Sequence, residues 1–431
     1  MLKNQKLYMQ IYDYYKNLIE EGKLKEGTKL PSIRRCAEER NVSKTTVESA
    51  FMCLCDDGYI LPKSQSGYYV SKRGIAPKIT TQKEQKNNRQ NHIIYDFSSS
   101  GVDSESFNMD IWRRYVKSAL RQTEKLLFYG EPQGEMELRR EIAEYVRQSR
   151  NCVCSEENIV IGAGVQTLLN ILCPILKSQK TVYFEDKNYK QGKAIFEDFG
   201  YKFSTKDKSN ILYVSPSYRG KTGDTMSVTD RFSLVEFAKE NDKIIVEDDY
   251  GSEFRYLNRP TPSLQGLDGG ENVVYLGTFS KLLLPSIRIS FMILPNALLK
   301  DYKQRSGLYN QTVSKADQIA LCSYIRDGHL ASQIRKSRKI YMQKSKLLGD
   351  LLTQKFGKKV KILKSDSPLY VRCVFDLKIS NNEIEKMLFN NGISVINSSE
   401  KGEIVFSVSS VPANFFEKAT DLMKNSLSNC Q

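Results

Sequence analysis

Two apolar segments in the second half of the chain are each followed by residues that could do chemistry. Five of these residues could act together on a phosphorylated aldehyde. Lys281 has an amine that can form an imine with an aldehyde, and Asp248 has a carboxylate that can keep a ring nitrogen protonated. Tyr250, on the same side of an extended backbone as Asp248, could hydrogen-bond a phenolic oxygen. Ser280 and Arg288 could bind a phosphate, Arg288 through two parallel N–H groups. These side chains meet the requirements of pyridoxal 5'-phosphate.

A further phosphate-binding element is predicted earlier in the chain. Residues 159–166 (IVIGAGVQ) have the pattern of a strand, a glycine turn and the start of a helix. Free backbone amides and the positive end of the helix dipole favour an anion there, so we expect Gly164, Val165 and Gln166 to contact the phosphate. Neither the Gly-x-Gly pair nor the acidic run 247–249 is specific by itself, since such a run could be a solvated loop.

The elements that must position these residues alternate between apolar strands and helices. This alternation predicts a mostly parallel sheet with helices on both faces, and ligands collect at the carboxyl ends of the strands in such a sheet. From about Ser314, a long Lys- and Arg-rich helical stretch and further α/β segments predict a smaller C-terminal subdomain. The predicted strands are 159–161, 181–184, 211–214, 244–246 and 273–276.

The N-terminal segment has the pattern of three helices and a hairpin. Apolar residues recur every three or four positions from Leu7 to Glu21, Ser32 starts a second helix that Asn41 ends, and Ser43 caps a third. A short hairpin, or wing, follows at 59–70. The second and third helices predict a helix-turn-helix motif. The third helix of the segment would enter a DNA major groove. A helical hairpin used only for packing is the alternative.

Composition limits the class of protein. With 431 residues the chain is too long for one ordinary core, and its net charge of +15 favours a polyanionic partner such as nucleic acid. No apolar run reaches the roughly 20 residues of a membrane span and the N-terminus has no signal-peptide core, so we expect a cytoplasmic protein. Nine cysteines without Cys-x-x-Cys spacing and two histidines indicate reduced thiols and no metal site.

A change in composition separates two domains. Residues 74–94 are poor in large apolar residues and rich in Lys, Gln and Asn, which predicts a flexible basic linker. The predicted domains are therefore a small one over 1–73 and a large one over 95–431.

The first domain resembles the GntR family of winged-helix regulators. The similarity covers about residues 1–73 and is carried by the segments 30–34, 42–47, 58–59 and 66–70. Glu48 departs from the pattern, because some relatives have a basic, DNA-contacting residue there. The resemblance implies binding to double-stranded DNA. The residues that would contact it lie at the helix starts and the wing tip, and they are Arg34, Ser43, Lys44, Thr45, Thr46, Ser66 and Gly67.

The second domain resembles the aminotransferase-like domains that are fused to GntR heads in the MocR family. The similarity rests on the segments 96–97, 129–134, 247–256, 277–288 and 328–330. The implied fold class is α/β, a fold-type I aminotransferase-like domain that binds pyridoxal phosphate and follows a winged helix-turn-helix. The family forms domain-swapped, head-to-tail homodimers. By this resemblance Lys281 is the Schiff-base lysine, and the cofactor is held by Asp248, Tyr250, Ser280, Arg288 and, from the partner subunit, Tyr129.

Two departures from the family pattern concern the ligand. Where relatives have Pro-Ser-His-Gln-x-Pro-x-Gly, this chain has PSYRGKTG at 216–223, which places Arg219 at the hydroxyl edge of the cofactor ring. Several relatives bind a substrate carboxylate with an arginine near the C-terminus, and 403–407 (EIVFS) has none. Arg219 or Arg372 could replace it, or the ligand could lack that carboxylate. Both alternatives stay open.

These residues predict a DNA-binding transcriptional regulator that uses pyridoxal 5'-phosphate. It would sense an amino compound or a vitamin B6 form through an aldimine at Lys281. An active aminotransferase with a DNA-targeting head is the alternative, because Lys281 and Asp248 would suffice for a half-reaction. The altered loop and the missing arginine favour sensing over turnover. In a third hypothesis, the large domain serves only dimerisation.

Overall fold

The computed structural model describes residues 6–72, 93–99, 101–176, 180–186, 189–220, 223–256, 261–398 and 402–428. The chain divides into two compact units, Met1–Asn87 and Asn88–Gln431. The predicted linker lies outside the described residues up to residue 92. Among the described helices, none combines the length and apolar character needed to cross a bilayer.

The N-terminal unit has the predicted order of three helices and a hairpin. Ser32 accepts a hydrogen bond from Arg35 N and Ser43 accepts one from Thr46 N, each at 3.2 Å, so both helix starts are capped by side chains. Asn41 ends the second helix with φ 52°, a left-handed conformation that asparagine tolerates. The elements are α1 (Leu7–Glu20), α2 (Ile33–Arg40), α3 (Lys44–Asp56), β1 (Ile60–Lys63) and β2 (Gly67–Val70).

A small apolar core holds these elements together. Helices α1 and α3 bury Ile19, Val47 and Phe51 completely, and the rings of Tyr15 and Phe51 meet edge to face at 5.5 Å. Strands β1 and β2 pair antiparallel, and each adds an apolar side chain to the same core. The buried positions follow the helical period, which leaves the opposite face of α3 in solvent.

The second unit contains the predicted sheet. Seven strands run in the order β4-β10-β9-β8-β7-β5-β6, and the five from β9 to β6 are parallel, which confirms the prediction of a mostly parallel sheet. The strands are β3 (Tyr95–Asp96), β4 (Ile159–Gly162), β5 (Thr181–Phe184), β6 (Lys202–Phe203), β7 (Ile211–Val214), β8 (Ile244–Asp248), β9 (Val273–Thr278), β10 (Ser290–Ile293), β11 (Val360–Leu363), β12 (Tyr370–Phe375), β13 (Ile393–Ser394), β14 (Ile396–Ser398) and β15 (Glu403–Ser407).

Strand β10 is absent from the strands predicted by sequence and runs antiparallel to both of its neighbours. A parallel neighbour needs a crossover of a dozen or more residues, usually a helix. The connection from β9 to β10 holds one short 3-10 turn, Pro285–Ile287. The chain therefore returns in the opposite direction, and this connection carries Lys281 and Arg288.

Helices cover both faces of the sheet. One face packs against α7, α8 and α11, and the other packs against α9 and α10 at one end and against α6 and α12 at the other. Alternate residues of each strand enter opposite layers. The helices are α4 (Met109–Leu120), α5 (Thr123–Leu126), α6 (Met136–Arg150), α7 (Val165–Leu172), α8 (Lys190–Asp198), α9 (Val228–Glu240), α10 (Leu264–Leu267), α11 (Asn296–Arg305), α12 (Lys315–Arg326), α13 (His329–Phe356), α14 (Asn381–Asn390) and α15 (Phe416–Leu427).

The C-terminal part forms a second α/β layer. Strands β11, β12, β15 and β14 make an antiparallel sheet, and α13 supplies a 28-residue helix that packs on it. Strand β13 pairs in parallel with β3, the first strand of the unit. The beginning and the end of this unit therefore lie side by side, although almost 300 residues separate Tyr95 from Ile393.

Candidate cofactor site and DNA-facing surface

The turn after β9 carries Lys281 into the interior of the second unit. The side-chain amine donates to Gly101 O at 3.0 Å and to Ser409 Oγ at 3.2 Å. The residue is 3% exposed, and burial lowers the pKa of its amine to about 7. Near neutral pH a large fraction of this amine is uncharged, and the uncharged form has the lone pair that attacks an aldehyde.

Two segments far apart in sequence meet at this amine. Gly101 belongs to the segment after β3, and Ser409 follows β15. Lys344 on α13 joins the two segments, because its amine contacts the Asp103 carboxylate and donates to Val411 O at 2.7 Å. No local pattern marks Ser409 as a neighbour of Lys281, since 128 residues separate them.

Asp248 ends β8 at the same edge of the sheet. It pairs in register with Leu276 of β9, five residues before Lys281. Tyr213 OH donates to the Asp248 carboxylate at 2.7 Å, and burial raises the pKa of that carboxyl to about 6. A pyridinium placed there would lower the pKa again, because an opposite charge favours the carboxylate.

Stacked aromatic rings support Asp248. The Tyr213 ring stacks on Phe184 at 4.6 Å and on Tyr189 at 5.7 Å. Tyr213 is absent from the residues predicted by sequence, although a signal for it exists. In the parallel pairing it lies opposite Val246, whose side chain is on the same face of β8 as Asp248.

The acidic run 247–249 is not a solvated loop. Asp249 is buried on the opposite face, where Arg150 Nε donates to it at 2.7 Å and Tyr275 OH at 2.6 Å. Burial alone would raise the pKa of Asp249, but the Arg150 guanidinium and the hydroxyl donors bring it below its ordinary value. Glu247 is also fully buried. These ionic contacts anchor the end of β8.

The predicted phosphate-binding turn lies next to Arg288. Gly164 has φ 94°, and a methyl group added there would lie 2.2 Å from Arg288 Nη2. Helix α7 begins at Val165 without a side-chain cap, so its first amides remain free for an anion. The structure therefore brings a guanidinium to a helix start, and the close approach requires glycine.

The remaining predicted cofactor residues differ in their surroundings. Ser280 accepts a hydrogen bond from the Thr278 hydroxyl at 3.2 Å, and Gln166 is exposed on α7. The Tyr250 ring packs edge to face against Tyr218 at 5.5 Å. Tyr129 is completely exposed.

Arg219 and Arg372 both contact carboxylates. Arg219 Nη2 lies 2.7 Å from Glu185 Oε1 at the end of β5. Arg372 on β12 donates to both oxygens of Glu403, at 3.0 and 2.9 Å, and also contacts Asp224. Arg219 forms an ion pair here, and its contact with a cofactor ring stays a prediction.

Helix α3 presents a polar stripe to solvent. Its exposed positions fall on one face and include Glu48. The Ser49 hydroxyl donates to Thr45 O at 2.9 Å. The exposed residues of α3 are Lys44, Thr45, Glu48, Ser49, the apolar Met52 and Asp56.

The other predicted DNA contacts flank this stripe. Arg34 is exposed on α2, and its guanidinium lies 3.2 Å from Glu38. The Ser43 hydroxyl caps α3 and lies 2.7 Å from the Thr46 hydroxyl, so both are engaged within the unit. Ser66 and Gly67 form the exposed wing tip, where Gly67 has φ 107°.

Comparison with known proteins defines the class. Residues 7–70 match the model of bacterial regulatory proteins of the gntR family, and residues 96–210 and 217–407 match aminotransferase class I and II. An archaeal alanine:glyoxylate aminotransferase superposes with a TM-score of 0.68 at 20% identity, over 79% of this chain and 93% of that one. The fold is thus a GntR winged helix-turn-helix joined to a fold-type I aminotransferase domain.

Relatives that share both units identify the family. The HTH-type transcriptional regulator YdeL of Bacillus subtilis is 36% identical over 408 residues, covering 90% of this chain and 88% of the relative. The probable rhizopine catabolism regulatory protein MocR of Rhizobium meliloti is 27% identical, covering 90% and 85%. The chain belongs to the MocR family of GntR-type transcriptional regulators.

Proposed function

We propose that this regulator binds pyridoxal 5'-phosphate and senses an amino compound or a vitamin B6 form through covalent bonding at Lys281. The observation that carries the proposal is the buried Lys281 amine, with its lowered pKa, at the sheet edge where Asp248 ends β8. When bound, the cofactor supplies an aldehyde that an amine can capture and a ring that withdraws electrons.

The described residues fit the cofactor at three points. Asp248 would pair with the ring nitrogen, and Tyr250 would hydrogen-bond the phenolic oxygen. Arg288 and the first amides of α7, at Val165 and Gln166, would hold the phosphate, since a guanidinium and a helix start both favour a dianion. The buried Tyr213 hydroxyl would keep Asp248 oriented.

The contacts of Lys281 suggest how binding is transmitted. Lys281 would hold the cofactor through its amine, and an effector amine would compete with the Lys281 amine for the aldehyde. A released amine can donate to Gly101 O and Ser409 Oγ, as in this structure. These hydrogen bonds would differ between the two states, and a ligand can shift a conformation only through such a difference.

The proposed assembly is a head-to-tail, domain-swapped homodimer that binds double-stranded DNA. Its support is the exposed segment of Leu127, Phe128 and Tyr129, which leaves large apolar side chains in solvent. Tyr129 of the partner subunit would then reach the phosphate. The DNA contacts would come from Arg34, Lys44, Thr45 and the wing tip.

Replacing Lys281 tests this proposal. Wild-type protein loaded with the cofactor should absorb in the visible range, and borohydride should fix the cofactor to a peptide that contains Lys281. Lys281→Ala should lose the absorbance, the reducible bond and the effector response, while DNA binding persists. Lys300→Ala, which alters an exposed lysine on α11, is the matched control. An unchanged spectrum in Lys281→Ala would contradict the proposal.

The second candidate function is transamination, which Lys281 and Asp248 could support. Loaded protein incubated with amino donors and keto acids distinguishes the two functions. A sensor should give at most one product per active site, whereas continued product formation over many equivalents would establish an enzyme. The ion pairs of Arg219 and Arg372 favour sensing over turnover of ordinary amino acids.

A further inference from the structure

Two carboxylates contact the guanidinium of Arg372, on the strand that also carries Tyr370. Its guanidinium forms a bidentate pair with Glu403 at 3.0 and 2.9 Å and also contacts Asp224. The side chains of Arg372 and Glu403 are 11% and 8% exposed. Tyr370, two residues earlier on β12, packs against Tyr218, which in turn packs against Tyr250.

This cluster has more negative than positive charge. One guanidinium faces two carboxylates, so its formal charge is −1. Each nitrogen of the Arg372 guanidinium already has an oxygen partner, so a ligand carboxylate would compete with Glu403 and Asp224. The displaced carboxylate would stay partly buried without its partner, and an unpaired buried charge is strongly unfavourable. Arg219 makes a single ion pair with Glu185, and its side chain is more exposed than that of Arg372.

The Lys281 amine donates to two uncharged oxygen atoms. They are Gly101 O and the hydroxyl of Ser409, which lies 2.9 Å from the hydroxyl of Ser407. The Ser409 hydroxyl also lies 3.4 Å from Ser99 O. Carbonyl oxygens and hydroxyls accept hydrogen bonds from ammonium and hydroxyl groups, whereas the lone pairs of a carbonyl repel a carboxylate.

We infer that the effector is a primary amine without a free carboxylate, and that Glu403 is the residue that excludes carboxylates. This inference rests on the proposed function, because it names the ligand class of the Lys281 site. Val405 of β15 lies opposite Arg372 in the antiparallel pairing, so the strand that lacks the carboxylate-binding arginine also carries the acid that holds Arg372.

Matched pairs that differ by one carboxylate test the ligand class. Full-length protein loaded with pyridoxal 5'-phosphate is titrated with ethanolamine and serine, cadaverine and lysine, and tyramine and tyrosine. The readouts are visible absorbance and the shift of the thermal midpoint. In responding pairs, the amine should act at a concentration at least roughly tenfold lower than its amino acid, which corresponds to roughly 1.4 kcal/mol.

Three results are distinguishable. An amino acid that acts at the same or a lower concentration than its amine in every responding pair overturns the inference. The absence of any response also overturns it, provided that the reducible bond at Lys281 is intact. Protein that never forms that bond would instead overturn the proposed function.

Glu403→Gln tests the exclusion directly. The substitution should release Arg372 and lower the effective concentration of the amino acid roughly tenfold relative to its amine. The double variant Glu403→Gln/Arg372→Met should lose this gain. Asp224→Asn, at a more exposed position, repeats the test if Glu403→Gln does not fold. An unchanged amine-to-amino-acid ratio in both single variants would show that Glu403 does not exclude carboxylates.

Discussion

Raising the pH from 6 to 8 removes the proton from most of the Lys281 amine, in a range where an ordinary lysine stays almost fully protonated. Burial lowers the pKa of this amine from 10.5 to about 7. At pH 7 about half of the amine is then uncharged, compared with about 1 part in 3,000 for an unshifted lysine. Capture of an aldehyde requires the uncharged form, so the shift accounts for an advantage of about 1,500-fold in reactive amine at pH 7.

The rate of cofactor capture should follow this titration. Protein freed of cofactor is mixed with pyridoxal 5'-phosphate at constant ionic strength, and the visible absorbance is followed at each pH. A simple primary amine in the same buffers, its rate divided by its own uncharged fraction, corrects for the pH dependence of the aldehyde. The corrected rate should rise about tenfold per unit below pH 7 and level off by about pH 8. A rate that still rises about tenfold per unit between pH 8 and 10 would refute the reasoning from burial.

Four further outcomes are expected. Without cofactor, the free energy of unfolding should rise with pH between about 7 and 10.5, because only the unfolded chain keeps a proton on Lys281 there; urea titration of Lys281→Met should lack this rise. Asp248→Asn should weaken cofactor binding roughly 10- to 100-fold, the value of a charged hydrogen bond, in a fluorescence titration. Gly164→Ala should weaken it at least roughly tenfold, since the added methyl meets Arg288 at a φ that alanine avoids, while DNA binding measured by anisotropy is retained. Glu48→Gln should raise DNA affinity roughly threefold at low salt by removing an exposed negative charge, and an equal affinity would place Glu48 away from the phosphates.

Patterns of neighbouring residues in the sequence predicted the helices and strands of this protein. Ser32 and Ser43 precede apolar helical patterns, and both cap the predicted helices, because a cap depends on neighbours within three residues. The apolar runs at 181–184 and 211–214 are strands with the predicted bounds. Order along the chain also placed Asp248 and Lys281 at one edge, since both follow parallel strands at their carboxyl ends.

Tertiary structure alone decided what surrounds these residues. Ser409 reaches Lys281 because the segment after β15 packs against the turn after β9, and Glu403 pairs with Arg372 because β15 lies beside β12 in the antiparallel sheet. Contacts between residues more than 100 positions apart depend on how layers pack, and no local periodicity encodes them. The low pKa of the Lys281 amine has the same origin. Packed layers remove the amine from water, and burial disfavours its charged form.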